Sequence, residues 1–286
     1  MLKILLTGGN GMLGRTIVRI LSDRFIIIPT DLPEVDITQP ESVGNALMKY
    51  APDAVIHCAA MTAVDKCESE RELAFFINEY GSAVVAEVCR KFSVRLLAIS
   101  TDYVFRGDRD EAYSENDIAD GGRTVYGQSK FAGEEAVRRI YPENSLICRI
   151  SWLYGFGGPS FVHSMISLAD GSRNELKVVA DQRGNPTSAL AVARKLGELL
   201  EYPELTGIIH LTCEGEAAWC DFACEIFRQM GVTQKVAACT SAEFPRPAPR
   251  PANSCLKKDK LREYGLTPMP QWQDALSEFI ALEFGK

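Results

Sequence analysis

The stretch LKILLTGGNGMLG, Leu2 to Gly14, decides the fold. Ile4, Leu5 and Leu6 run apolar without alternation, the pattern of a parallel strand buried on both faces. The run stops at Thr7-Gly8-Gly9-Asn10-Gly11, and Leu13, Ile17, Ile20 and Leu21 then recur at helical spacing. Strand, glycine turn and helix N-terminus make a cradle for a diphosphate. Free amides of the first helical turn face the anion, and glycines let the backbone come close. The glycines fit G-x-G-x-x-G through Gly9, Gly11 and Gly14, and G-x-x-G-x-x-G through Gly8, Gly11 and Gly14. A tight turn under a closely packed helix needs glycine too. What points to a dinucleotide is the placement between strand and helix at the start of the chain.

Working outward, Phe25 to Ile28 forms a second strand and Asp31 follows it. An acid there accepts hydrogen bonds from the adenosine ribose and repels a 2′-phosphate, which favours NAD. Arg15 offers that phosphate a cation, so NADPH and NADH both stay open. Asp36, beside Ile37, precedes a helix from about Pro40 to Tyr50 and suits either an adenine amino group or a turn. Ala54 to His57 is another buried strand, running into Cys58-Ala59-Ala60-Met61, small residues against which a flat ligand can lie. A helix carrying Ala74, Ile77, Val84, Val85 and Val88 leads to a strand from Val94 to Ile99, which ends in Ser100-Thr101-Asp102-Tyr103. A helix near Tyr126 and a strand from Ser145 to Ile150 follow. This alternation predicts an α/β fold: a Rossmann-type doubly wound parallel sheet, with ligands at its C-terminal edge.

Residues 1–150 therefore read as an NAD(P)-binding domain. Beyond Trp152, short strands (Lys177 to Ala180, Gly207 to Leu211) alternate with helices (Ala189 to Glu201, Trp219 to Met230). These predict a smaller C-terminal α/β substrate-binding domain over 151–286, with some elements returning to the main sheet. Late in it, Pro245-Arg246-Pro247-Ala248-Pro249-Arg250-Pro251 is a stiff extended arm. Arg246 to Arg262 holds six basic residues and one acid, Asp259. Arginines on a rigid arm suit a diphosphate clamp, since guanidinium pairs bidentately with phosphate oxygens.

The 286 residues are 46% hydrophobic and 24% charged, ordinary for a globular protein. A net charge of −7 argues against nucleic-acid binding and against an anionic membrane surface. No secretory leader and no apolar run of about 20 residues is present, so a cytoplasmic protein is expected. Nine cysteines, an odd number, fit buried thiols such as Cys58, Cys89, Cys148 and Cys213 better than a disulfide framework. Cys220 and Cys224 lie one helical turn apart but lack further ligands, and His57, His163 and His210 are isolated; no metal site is expected.

Tyr126-Gly127-Gln128-Ser129-Lys130 sets a phenol and an ammonium on one helix face. The ammonium is expected to stabilise the phenolate and draw its pKa down from about 10. A tyrosine so placed donates a proton to a carbonyl oxygen as hydride reaches the carbon. With the glycine cradle and the Ser100-Thr101 hydroxyls at a strand end, this makes one reductase site: Tyr126, Lys130 and Thr101 as catalytic residues.

The chain resembles the extended short-chain dehydrogenase/reductases and, within them, the dTDP-4-dehydrorhamnose reductase family. The resemblance runs through TGGNGMLG, AAMTAVDKCE (59 to 68), STDYVF (100 to 105), YGQSK (126 to 130), RISWLYG (149 to 155), DQRGNPTSA (181 to 189) and RPANSCL (250 to 256), of which TAVDKCE and RPANSCL are the most specific. It implies reduction of the C4 keto group of dTDP-4-dehydro-L-rhamnose by NADPH or NADH, in a monomer or homodimer. Tyr126 would be the acid, Lys130 would tune it and hold the nicotinamide ribose, and Thr101 would bond the C4 oxygen. Gly8, Asn10, Gly11, Met12, Leu13, Asp31, Asp36, Ile37, Cys58, Ala59, Ala60 and Thr62, together with Tyr126 and Lys130, would hold the cofactor. Thr62, Val64, Asp102, Tyr103, Trp152, Arg250 and Asn253 would contact sugar and nucleotide. Two departures stand out. Gly122 replaces a proline often found four residues before the tyrosine, which predicts a more mobile loop, and Cys58 replaces the first residue of an "NAA" turn. Sugar-nucleotide dehydration on the same fold is disfavoured because Tyr103 stands where the glutamate base would follow Asp102. A non-catalytic dinucleotide-binding subunit is disfavoured because Thr101, Tyr126 and Lys130 are all present.

Overall fold

The computed structural model describes residues 1–286. Six parallel strands form the main sheet: β1 (Lys3–Thr7), β2 (Ile26–Thr30), β3 (Ala54–His57), β4 (Arg95–Thr101), β5 (Ser145–Ile150) and β6 (Gly207–His210), in the order β6-β5-β4-β3-β1-β2. The order reverses between β1 and β3, and ligands of open α/β sheets bind at such a switch point, beyond the strands' C-terminal ends. The unbroken apolar run of β1 is explained by its two covered faces. Ile4 and Leu6 join one core cluster, and Leu5 joins the other.

On the first face lie α1 (Met12–Leu21) and α5 (Ala189–Leu199), which pack together; on the second lie α2 (Pro40–Tyr50), α3 (Ser82–Phe92) and α4 (Val125–Ile140). The C-terminal half thus supplies both the edge strand β6 and the helix α5 behind the sheet. A single cluster of 43 buried residues runs from Ile4 through α6 (Trp219–Met230) to Ile280, so the two halves share one core. The smaller half carries two-stranded pairs, among them Glu175–Val179 with Lys235–Cys239. No helix is long and apolar enough to cross a membrane.

Two local differences from the sequence reading matter for the site. The helical region before α3 is broken into Val64–Ser69, Arg71–Phe75 and a π-helical turn, Phe76–Gly81. The strand expected to end at Ile99 extends to Thr101, so that hydroxyl is held by the sheet itself. All nine thiols are free.

Candidate active site

The glycine turn has the shape its sequence demands. Gly8 has a φ of +71°, and a Cβ there would lie 2.6 Å from the Ala59 nitrogen; on Gly14 it would lie 2.3 Å from the Gly8 oxygen. Only glycine lets the helix, the strand end and the Cys58-Ala59 segment meet so closely. Gly11 caps α1 without a side-chain bond, leaving the first-turn amides for an anion. A cleft of about 710 Å³ opens there. Gly8, Gly11, Met12, Leu13, Asp31, Asp36 and Ile37 line one part of it, and Cys58, Ala59, Ala60, Thr62 and Val64 another. Asn10 is exposed and does not itself line it, its backbone N–H donating to Asp31 Oδ2 (3.0 Å) while Leu32 N donates to Oδ1 (2.9 Å). Asp36 Oδ1 serves a turn, accepting from Thr38 N (2.9 Å) and Thr38 Oγ1 (2.7 Å). Arg15 turns away to donate to Gly157 O (2.7 Å). This cradle fits a dinucleotide.

Beyond Ile77 and Ile99 the same cleft is lined by Ser100, Thr101, Asp102, Tyr103, Tyr126, Lys130 and Trp152. Helix α4 starts at a firm point, since the Thr124 hydroxyl accepts from Gly127 N (2.9 Å) and Glu68 Oε1 accepts from Val125 N (2.9 Å). One turn apart on it, Tyr126 turns its hydroxyl to that of Thr101, and Lys130 Nζ donates to the Ile99 carbonyl (2.8 Å). The rings of Tyr103 and Tyr126 meet edge-on at 5.5 Å.

Here the electrostatics correct the sequence reading. Burial pushes the Tyr126 phenol above its ordinary value; the Thr101 hydroxyl opposes this, and Asp102, Tyr103 and Cys67 reinforce it. Lys130, bonded to the strand carbonyl, does not offset the burial. Its own ammonium is drawn down to about 8 by burial, against the pull of Glu134 and Cys58.

Behind the site runs a buried polar chain that no motif announced. The Ser82 hydroxyl donates to Asn78 O (2.7 Å), so it accepts from His57 Nε2 (3.2 Å), and His57 Nδ1 accepts from Thr7 Oγ1 (2.8 Å). Asn78, in the π-helical turn, clamps both backbone groups of Met61, with N–H to Oδ1 at 2.8 Å and Nδ2 to O at 3.0 Å, and also donates to Ser129 Oγ (3.0 Å). One side chain thereby joins the Cys58–Thr62 floor to α4. A π-helical turn at a functional site is the signal that locates it, and apolar spacing does not show such turns.

At the end of the cleft beyond Tyr126, Trp152 has a φ of +44°, rare for a bulky residue, and stacks on Trp219 at 3.5 Å and 4°. Gly184 makes room, as a Cβ there would sit 2.3 Å from the Trp152 ring. Arg250 does not line the cleft. It pairs with Asp65 (3.0 Å) beside Tyr103, whose phenol it holds down against burial. Within the rest of the basic run, Lys258 and Arg262 both meet Glu214. Asn253 departs from its implied role as a substrate contact. It is 3% exposed; its Nδ2 donates to the carbonyls of Arg109, Asp110 and Glu111, and its Oδ1 accepts from Cys255 N. It pins a loop and has no donor left for a ligand. Gly122 also departs from expectation, because its φ of +64° and a Cβ position 2.3 Å from the Tyr103 oxygen make it a fitted turn. Proline, locked near −65°, has no place there.

The RmlD substrate binding domain model matches residues 2–283. The chain is 40% identical to a dTDP-4-dehydrorhamnose reductase of Streptomyces griseus, over 96% of this chain and 91% of that one. Among solved structures, a dTDP-4-dehydrorhamnose reductase of Clostridium acetobutylicum superposes with a TM-score of 0.93 at 41% identity, covering 98% of this chain and 99% of the other. One from Bacillus anthracis, solved in complex with NADP, gives 0.94 at 36% identity, with the same coverage.

Proposed function

The chain belongs to the RmlD substrate binding domain family, and from that membership we propose that it is an NAD(P)H-dependent reductase of the C4 keto group of dTDP-4-dehydro-L-rhamnose, giving dTDP-L-rhamnose. The observation that carries this reading is that one cleft holds both the glycine turn and the Thr101, Tyr126 and Lys130 side chains. Residues 1–150 hold the cofactor and residues 151–286 wall the sugar nucleotide. The glycine turn and Asp31 would hold the cofactor's adenosine half. When bound, the dihydronicotinamide supplies the hydride that the carbonyl carbon receives. Tyr126 gives its hydroxyl proton to the C4 oxygen. Its raised pKa keeps it protonated at neutral pH, so the proton leaves only for a strongly basic oxygen. Lys130, anchored on Ile99 O, places a positive charge at the inner end of the cleft. Trp152, backed by Trp219, excludes water from the sugar side.

We place the protein in the cytoplasm, where reduced nicotinamide cofactors and free thiols coexist, acting as a monomer or homodimer. The test is loss of dihydronicotinamide absorbance on adding dTDP-4-dehydro-L-rhamnose, with NADPH and NADH tried separately. Steady loss with at least one is expected. No loss with any dTDP-4-keto-6-deoxyhexose, alongside a stable complex with another polypeptide, would replace the enzyme with a binding subunit.

A further inference from the structure

Thr101 closes β4 and caps the turn that follows, and its hydroxyl is fully used. A hydroxyl has one proton and two lone pairs. Here the oxygen accepts from Tyr103 N (3.2 Å), faces the Tyr126 hydroxyl, and donates its proton to Asp102 Oδ1 (2.9 Å). With that proton on Asp102, Thr101 is an acceptor toward the phenol and has nothing to donate to a substrate oxygen. The other carboxyl oxygen, Oδ2, is buried and makes no hydrogen bond, the nearby Ser254 hydroxyl being turned to Arg183 O (3.4 Å), in a side chain that lines the cleft. A charged carboxylate with one bare buried oxygen is costly, whereas a neutral carboxyl is much less so.

We propose that Asp102 is a positioning residue that sets the direction of the Thr101 hydroxyl. When ionised it holds the Thr101 proton. When protonated it donates to Thr101 Oγ1 and frees the Thr101 proton for the oxygen of the reacting carbonyl, beside Tyr126. This rests on the reductase reading. The proton balance is simple: Tyr126 alone transfers a proton to the product, while those of Asp102 and Thr101 only turn. The groups around Asp102 are Thr101 and Tyr103 on its own segment, Tyr126 on α4 and the Ser254 hydroxyl. Arg250 and Asp65 stand beyond the Tyr103 ring and pair with each other, and Lys130 is bonded to Ile99 O. Burial raises the carboxyl to about 6 even though the Ser254 and Thr101 hydroxyls and two backbone N–H groups favour its charged form.

The experiment is the pH profile of kcat/KM in the wild type and in Asp102→Asn, which keeps the shape but cannot titrate. In the wild type the rate should fall roughly 25-fold from about pH 5.5 to about pH 7.5, as the protonated fraction of a group titrating near about 6 does. In Asp102→Asn that inflection should vanish, whatever the absolute rate. The same inflection in the variant, or a flat wild-type profile, overturns the proposal. Should the variant not fold, infrared titration of the wild type decides: a protonated-carboxyl band growing in near pH 6 supports the assignment and its absence overturns it. Turnover at pH 7 tests the reductase reading separately, and the infrared result stands without it.

Discussion

Tyr126 shows how burial and chemistry divide the work of one side chain. Its spacing from Lys130 was legible because two residues one turn apart must share a helix face. Its acidity was not, since that depends on how much water reaches the phenol and on where the Lys130 ammonium finds a carbonyl. A sealed phenol is a reluctant phenolate and a steady proton holder. Tyr126→Phe should therefore lower kcat by roughly 10²–10⁴. Cofactor affinity should stay within about twofold, because the lost hydroxyl faces Thr101 and not the glycine turn. Steady-state kinetics and a dinucleotide titration check both halves, and an unchanged turnover number removes Tyr126 as the acid. The direction of the Thr101–Asp102 bond was equally hidden, because the letters STDY give no burial.

At the scale of elements, the buried strands were readable from short apolar runs. The break at Phe76–Gly81 was not, because Ile77, Val84, Val85 and Val88 pack on one core through it, and the Asn78 bonds to Met61 leave no mark on that spacing. The entrance to α4 is the element on which catalysis leans. Gly122 and Gly127 both lie against the Tyr103 carbonyl, so that turn and helix grip each other. Gly122→Ala needs a left-handed alanine pushed into that oxygen; unfolding should become easier by about 1–3 kcal/mol and kcat should fall with it. Denaturant melting with parallel kinetics tests this, and a variant as stable and active as the wild type would mean the turn yields freely. The proline arm is the second such element. TAVDKCE and RPANSCL, far apart in sequence, meet in space: Asp65 takes Arg250 (3.0 Å) and Ala248 N (3.2 Å), and Glu68 caps α4. Arg250 stands outside the cleft, so Arg250→Ala should act through Asp65 and through Tyr103, which does line it: KM for the sugar nucleotide should rise about 2–10-fold and dinucleotide affinity stay nearly untouched. Equal losses for both ligands would make the arm a strut and nothing more.

For the whole molecule, the N-terminal glycine cradle and the return of C-terminal elements to the main sheet were legible. The fusion of the two halves into one core was only partly so, because which strand β6 pairs with is a matter of tertiary contact and not of local pattern. That fusion buries two imidazoles at strand ends, His57 on β3 and His210 on β6. His210 donates from Nδ1 to Lys257 O (2.8 Å), and burial, aided by Lys130 near His57 and by Arg149 near His210, lowers both to about 3. Each stays neutral in the fold but takes up a proton near 6.5 in the unfolded chain. The stability each contributes is thus present above pH 6.5 and lost as pH falls toward 3, at about 1.4 kcal/mol per pH unit. Asp102 works in the opposite sense: raised to about 6, it favours the fold more as pH falls from 6 toward its ordinary 3.8. Between pH 6 and 5, before most carboxylates titrate, two losses against one gain leave a net fall of about 1.4 kcal/mol per unit. Urea unfolding across that window measures it. His210→Gln, which removes one of the two losses, should bring the slope near zero; a slope unchanged in the variant would show that His210 already carries its proton in the folded protein.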